Sequence, residues 1–214
     1  MSSCCYSEEY GERFSEKEAR RTARRFRRKG LRGSAGALAA GLAATGVDGA
    51  TVLEVGGGVG GIQAHLLRSG AARAVNVELS PSWEGAARRL FAELGLGDRV
   101  ERHVADFVDL AGQLPEADLV VLHRVVCCYP DWRAMLGAAA GRTRRALGMT
   151  LPRDRWWTRA TVAVGNGFFA LRRRDFRAYV HPVAPMLDAL RQGGLQVVGD
   201  SQGPVWRTLI LARE

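Results

Sequence analysis

The chain is nearly free of lysine. Lys17 and Lys29 stand alone, so almost all of its 31 basic residues are arginine. Cysteine is scarce too, with four residues in two adjacent pairs, Cys4-Cys5 and Cys127-Cys128. Pairs this close match no zinc-ribbon or finger spacing, and a reducing compartment disfavours structural disulfides, so neither a metal site nor a disulfide framework is expected. No apolar run reaches the roughly 18 residues that span a bilayer, so no transmembrane helix is expected. The segment Met1 to Tyr6 lacks a basic flank followed by an apolar stretch and does not read as a secretory signal. The cytoplasm is the expected compartment.

What is present suits one α/β domain with a terminal extension: 214 residues, 47% hydrophobic and 25% charged. The formal net charge is +9. It is concentrated in Arg20, Arg21, Arg24, Arg25, Arg27, Arg28, Lys29 and Arg32. Two readings stay open. One is a coding bias toward arginine. The other is an acidic partner, because clustered guanidinium groups attract carboxylates and phosphates.

Along the chain, Glu8 to Glu18 precede the basic run, and acid before base complements a helix dipole. Ser15 followed by Glu18 resembles a capping box. A helix is predicted over 15–29 and a second over 34–45. From Thr51 the texture alternates. Strands are predicted at 51–55, 74–77, 100–104, 117–122 and 145–151, with helices at 60–69, from Ser80-Pro81 to Leu94, and at 131–141. The segment 152–180 reads as irregular. A helix at 183–192 and strands at 195–200 and 205–212 complete the pattern. Alternating strands and helices imply a parallel sheet covered on both faces. The last two strands are joined too tightly for a crossover and must pair antiparallel. The expected fold is therefore α/β, a Rossmann-like doubly wound sheet closed by a C-terminal antiparallel hairpin. Residues 1–33 form a charged helical extension or lid, and 34–214 form the main domain.

Glu54-Val55-Gly56-Gly57-Gly58-Val59-Gly60-Gly61 follows the first strand and opens a helix. Ligands in such sheets bind at the carboxyl ends of the strands, and glycine permits close backbone approach. Gly56, Gly58 and Gly61 satisfy the dinucleotide spacing G-x-G-x-x-G. Glu54, Gly56, Gly58 and Gly60 satisfy E-x-G-x-G-x-G. A dinucleotide enzyme usually needs a second nucleotide-binding half or a substrate domain, and little chain is left for one. Glu78 ends the second strand, where a carboxylate can accept both hydroxyls of a ribose. Asp106-Phe107 follows the third strand, where an acid can take an adenine amino group and a ring can pack on the base.

Over residues 34–214 these motifs resemble the class I S-adenosylmethionine-dependent methyltransferases. Val52 to Gly58 matches the first motif of that class, Glu78 its ribose acid and Asp106 its adenine acid. The resemblance implies S-adenosylmethionine as cofactor, with Glu54 near the amino-acid end of that molecule. The end of the fourth strand and the Trp-Trp, Gly-Asn, Phe-Arg and His segments are more loosely similar to small-molecule enzymes of the magnesium-protoporphyrin O-methyltransferase group.

On the substrate side, Leu122-His123-Arg124-Val125-Val126-Cys127-Cys128-Tyr129 leaves the fourth strand. Methyl transfer is an in-line displacement, so positioning dominates and a base is needed only for an acceptor that must lose a proton. His123 is the candidate base, because histidine titrates near neutrality. Tyr129 is a second candidate, and His181 could enter the acceptor pocket. Arg153, Arg155 and Arg159 flank Trp156-Trp157, either to clamp a flat carboxylated acceptor or as a snorkelling helix over the site, which could also touch a membrane surface. The vicinal cysteines could form a thiol cluster with Cys4-Cys5. The expected activity is methylation of a small molecule, with oxygen the favoured acceptor. An RNA methyltransferase using the basic helix and a non-catalytic cofactor-binding protein are the alternatives.

Overall fold

The computed structural model describes residues 15–172 and 176–213. Cys4 and Cys5 lie outside the described residues. Helix α1 (Glu16–Lys29) opens with Ser15 as N-cap, its hydroxyl accepting from the Glu18 N–H at 3.4 Å. It carries Glu16 and Glu18 in the first turn and Arg27, Arg28 and Lys29 in the last, the charge order that the helix dipole favours. Helix α2 (Ser34–Ala43) follows.

The alternating part comprises β1 (Thr51–Val55), α3 (Gly61–Arg68), β2 (Arg73–Glu78), α4 (Glu84–Glu93), β3 (Val100–Val104), the single turn α5 (Phe107–Leu110), β4 (Ala117–His123), α6 (Trp132–Gly141) and β5 (Thr143–Pro152). Then come α7 (Trp156–Leu171), α8 (Val183–Gln192), β6 (Leu195–Gln202) and β7 (Trp206–Arg213). One seven-stranded sheet forms in the order β3-β2-β1-β4-β5-β7-β6. Strands β1 to β5 pair parallel, whereas β7 runs antiparallel to both β5 and β6. This is the doubly wound sheet with a closing hairpin that the alternation implies.

Burial follows from position in the sheet. Central β4 carries Leu119-Val120-Val121-Leu122, all fully buried, as a strand covered on both faces requires. Val120 and Leu122 pack with Trp132, Met135 and Leu136 of α6 and Met186 of α8. Leu119 and Val121 face the other way, onto Leu38 and Leu42 of α2 and Leu66 of α3. Helix α1 makes a third cluster, its buried Ala19 packed with Val59, Trp83, Ala86 and Leu90.

The segment 152–180 departs from expectation. It holds the sixteen-residue helix α7. Its glycines, aromatics and β-branched residues weaken helix propensity, and its apolar residues lie on both sides of the helix, Val162 and Phe169 half-buried and Trp156, Val164, Phe168 and Leu171 exposed, so no single apolar face marks it. Asn166 secures it to the strap behind: its side-chain amide donates to the Ala178 carbonyl (2.8 Å) and accepts from the Ala178 N–H (2.9 Å).

Candidate active site

The strand order reverses between β1 and β4, and a cleft of about 310 Å³ opens at the carboxyl ends of β1, β2, β3 and β4. This is where open α/β sheets bind ligands, and the volume lies at the lower end of the small-molecule range. The floor is the glycine turn. Gly56, Gly58 and Gly60 hold φ of 62°, 56° and 79°, a left-handed backbone that side chains resist. Gly57 is required for a different reason. A Cβ there would sit 2.2 Å from Asn76 Nδ2 and 2.7 Å from the Glu54 carboxyl carbon.

Glu78 lines the cleft. One carboxylate oxygen accepts from the Gly58 N–H (2.8 Å) and the other from the Ser80 N–H (3.1 Å). Each oxygen keeps a further acceptor site, which is what a pair of ribose hydroxyls needs. Burial raises its pKa, against the hydrogen bonds that lower it. Asp106 caps α5 by accepting from the Val108 N–H (2.8 Å) and lines the same cleft. Burial raises its pKa as well. Phe107 is buried beside it and also lines the cleft.

Glu54 sits elsewhere. It is fully buried beneath the turn, accepts from the Gln63 N–H (3.3 Å), and is not among the residues that line the cleft. Burial pushes its pKa up to about 8. Gly60 is likewise absent from the lining, because it starts α3 behind the turn, against Gln63 and Phe91.

At the other wall, His123 and Arg124 leave β4 into the cleft. His123 Nε2 lies 3.2 Å from the Ser34 hydroxyl of α2. Burial and the neighbouring Arg124 charge push its pKa down to about 4, so the ring is neutral at physiological pH. Arg124 donates to the same hydroxyl (3.1 Å), which leaves the Ser34 proton free to point at Nε2. Arg124 has φ of 59°, the one positive value at a non-glycine among the described residues. Such a conformation costs about 1–3 kcal/mol and clusters at functional sites. It is held by an N–H donated to Thr150 Oγ1 (2.8 Å) and by stacking of the guanidinium over Trp206 at 4.3 Å.

Tyr129 also lines the cleft, and its hydroxyl donates to the Asp106 carboxylate (3.3 and 3.4 Å). That places it on the acid wall. His181 sits behind, its Nε2 2.9 Å from the Tyr129 carbonyl and its ring stacked on Tyr179. The Cys127 and Cys128 sulfurs lie 3.9 Å apart, and both thiols point at the Arg124 carbonyl. Cys128 lines the cleft while Cys127 is buried.

Arg102 escaped the sequence reading because nothing local marks it. From β3 it donates to the Gly58 carbonyl (2.8 Å) and, through two nitrogens, to Glu84 (2.9 and 2.8 Å), almost wholly buried. It thereby braces the glycine turn and lowers the pKa of both Glu54 and Glu78. Thr22 of α1, Trp83 and Ser34 escaped for the same reason. They reach the site through packing, Thr22 and Trp83 as cleft lining and Ser34 as the partner of His123.

The comparisons agree with this geometry. Residues 52–146 match the family model of a methyltransferase domain. No curated protein sequence matches the chain. Among solved structures, magnesium protoporphyrin IX methyltransferase from Synechocystis, with bound SAH, superposes with a TM-score of 0.68 at 19% identity, covering 97% of this chain and 94% of that one. An O-methyltransferase family protein from Burkholderia thailandensis gives 0.68 at 23% identity, covering 93% and 58%. Human N-acetylserotonin methyltransferase in complex with SAM gives 0.66 at 14%, covering 96% and 59%. At these identities the likeness establishes the fold. The domain match covers the glycine turn, Glu78 and Asp106, so residues 52–146 carry a methyltransferase domain, and the chain as a whole has the fold of S-adenosylmethionine-dependent methyltransferases.

Proposed function

We propose that this chain methylates a small-molecule acceptor, with oxygen the favoured site of transfer. The observation that carries the reading is the division of the cleft into two walls. Glu78, Asp106 and Phe107 stand at the ends of β2 and β3. His123 and Arg124 stand across from them at the end of β4.

When bound, S-adenosylmethionine supplies an electrophilic methyl group. Glu78 accepts the ribose hydroxyls through the lone pairs that Gly58 and Ser80 leave free. Asp106, oriented by Tyr129 and Val108, takes the adenine amino group, and Phe107 packs on the base. Gly56 and Gly58 bring backbone against the cofactor. Glu54 and Gly60 act from below by holding the turn in shape. Helix α1 closes the cleft through Thr22, so this helix of the extension acts as part of the site of the 34–214 domain.

His123 is held neutral and can receive the proton that a hydroxyl acceptor loses once Ser34 turns its own proton away from Nε2. Arg124 beside it can pair with an acceptor anion and exclude bulk water. Orientation supplies most of the rate, because in-line displacement needs aligned reactants more than acid–base chemistry. Incubation with S-adenosylmethionine and panels of oxygen, nitrogen and sulfur acceptors, starting with flat carboxylated compounds, tests this. Formation of S-adenosylhomocysteine with oxygen acceptors is expected. Cofactor binding with no transfer to any panel would replace it with a non-catalytic binder.

A further inference from the structure

Helix α7 exposes one apolar side. Of its sixteen residues Thr158 alone is buried. Trp156 is 81% exposed, Val164 75%, Phe168 50% and Leu171 83%. With Trp157 and Ala160 these occupy roughly a third of the helix circumference. Exposed apolar stripes of this kind mark interaction sites. None of the α7 residues lines the cleft, so the stripe is not the acceptor pocket turned inward. It continues onto the closing hairpin: the Arg153 N–H donates to the carbonyl of exposed Val205, beside the start of the helix.

Charge decides among occupants. Arg159 and Arg172 border the stripe on its two sides, Arg153 and Arg155 precede it, and the sequence continues as Arg172-Arg173-Arg174. The Arg172 guanidinium lies 4.2 Å over the Phe168 ring. Asp154, before the start of the helix, is committed to Arg159 at 2.6 Å, and Asp175 follows the three arginines in the sequence, which still leaves this stretch basic. A second copy laid on the stripe would set these arginines against their own equivalents, each on a chain of net charge +9. Apolar and aromatic residues on one face with arginines along its edges instead suit a helix lying in the headgroup plane of an anionic bilayer.

We propose that α7 docks the protein on an anionic membrane surface, Trp156, Val164, Phe168 and Leu171 entering the acyl boundary and the flanking arginines meeting lipid phosphates. The cleft lies close to that surface. Asn166 ties α7 to Ala178, and the Tyr179 N–H of the same strap donates to the Cys127 carbonyl (2.7 Å) on the turn behind the cleft wall. The proposal does not depend on the identity of the acceptor or on turnover.

The test is co-sedimentation of the full chain with vesicles of phosphatidylcholine alone and of phosphatidylcholine mixed with phosphatidylglycerol, with tryptophan emission as a second readout. Binding to the anionic vesicles with a blue shift is expected, at least about tenfold weaker on neutral vesicles. Trp156→Gln/Val164→Gln/Phe168→Gln is expected to lose at least about tenfold in binding while keeping its melting temperature, because these side chains are exposed. Absence of binding to anionic vesicles overturns the proposal. So does unchanged binding by the triple variant, which would leave only diffuse attraction to the basic chain. A dimer by light scattering that the triple variant dissociates, without vesicle binding, assigns the stripe to self-association instead. Should the variant not fold, the lipid comparison and the emission shift of the unmodified chain decide.

Discussion

At the residue scale the site is a set of buried acids whose protonation is set by their surroundings. Glu54 has its pKa pushed up to about 8 by burial, against an unfolded value near 4.3. The folded state therefore holds a proton that the unfolded state releases. The associated stability is complete below the unfolded value and is lost as pH rises toward 8, with a slope of at most about 1.4 kcal/mol per pH unit for one proton. Denaturant titrations from pH 5 to 8 should show stability falling, and Glu54→Gln should flatten the fall. Arg102→Ala removes a buried cation that holds Gly58 and Glu84. It should cost about 3–5 kcal/mol, as loss of one partner from a buried ion pair does. His123→Asn should lower kcat by about 10²-fold or more if the ring receives the acceptor proton, with the cofactor Kd unchanged. An equal loss in both would make it a structural histidine.

The same scale shows what the sequence can disclose. Glu78 and Asp106 were legible because each stands at a strand end in register with the glycine turn. Glu54 was legible as part of the motif, but its place beneath the turn was not, because that depends on Gly57 leaving room for Asn76. Arg102 and Ser34 were invisible, since their partners lie 44 and 89 residues away.

At the element scale, strands and capped helices were read closely, because β-branched runs, glycine stops and Ser15 carry local information. Helix α7 was legible only around Trp156-Trp157, as one of two alternatives, because its apolar residues lie on both its half-buried side (Val162, Phe169) and its exposed side (Trp156, Val164, Phe168), so no single face gave a helical pattern. Helix α1 matters to the site through packing. Phe26 lies against Gly61 and the cluster around Trp83. Phe26→Ala should speed amide hydrogen exchange across 16–29 and weaken cofactor binding through Thr22, while exchange in β4 stays protected. Equal acceleration in both elements would mean that α1 is not a separately loosened layer.

At the scale of the whole molecule, the sheet order positions every proposed contact at one edge, so cofactor binding and fold stability are linked. At a hundred times its Kd, S-adenosylmethionine should stabilise the chain by about 2.7 kcal/mol, a rise of about 5–11 °C in Tm for a domain of this size. The central claim is that the glycine turn and Glu78 seat S-adenosylmethionine, and calorimetric titration of the chain and of Glu78→Ala tests it most directly. Binding of S-adenosylmethionine but not NAD, weakened at least about tenfold in the variant by loss of charge-assisted hydrogen bonds, is the predicted result. Binding of NAD, or equal affinity for S-adenosylmethionine in both proteins, would contradict it.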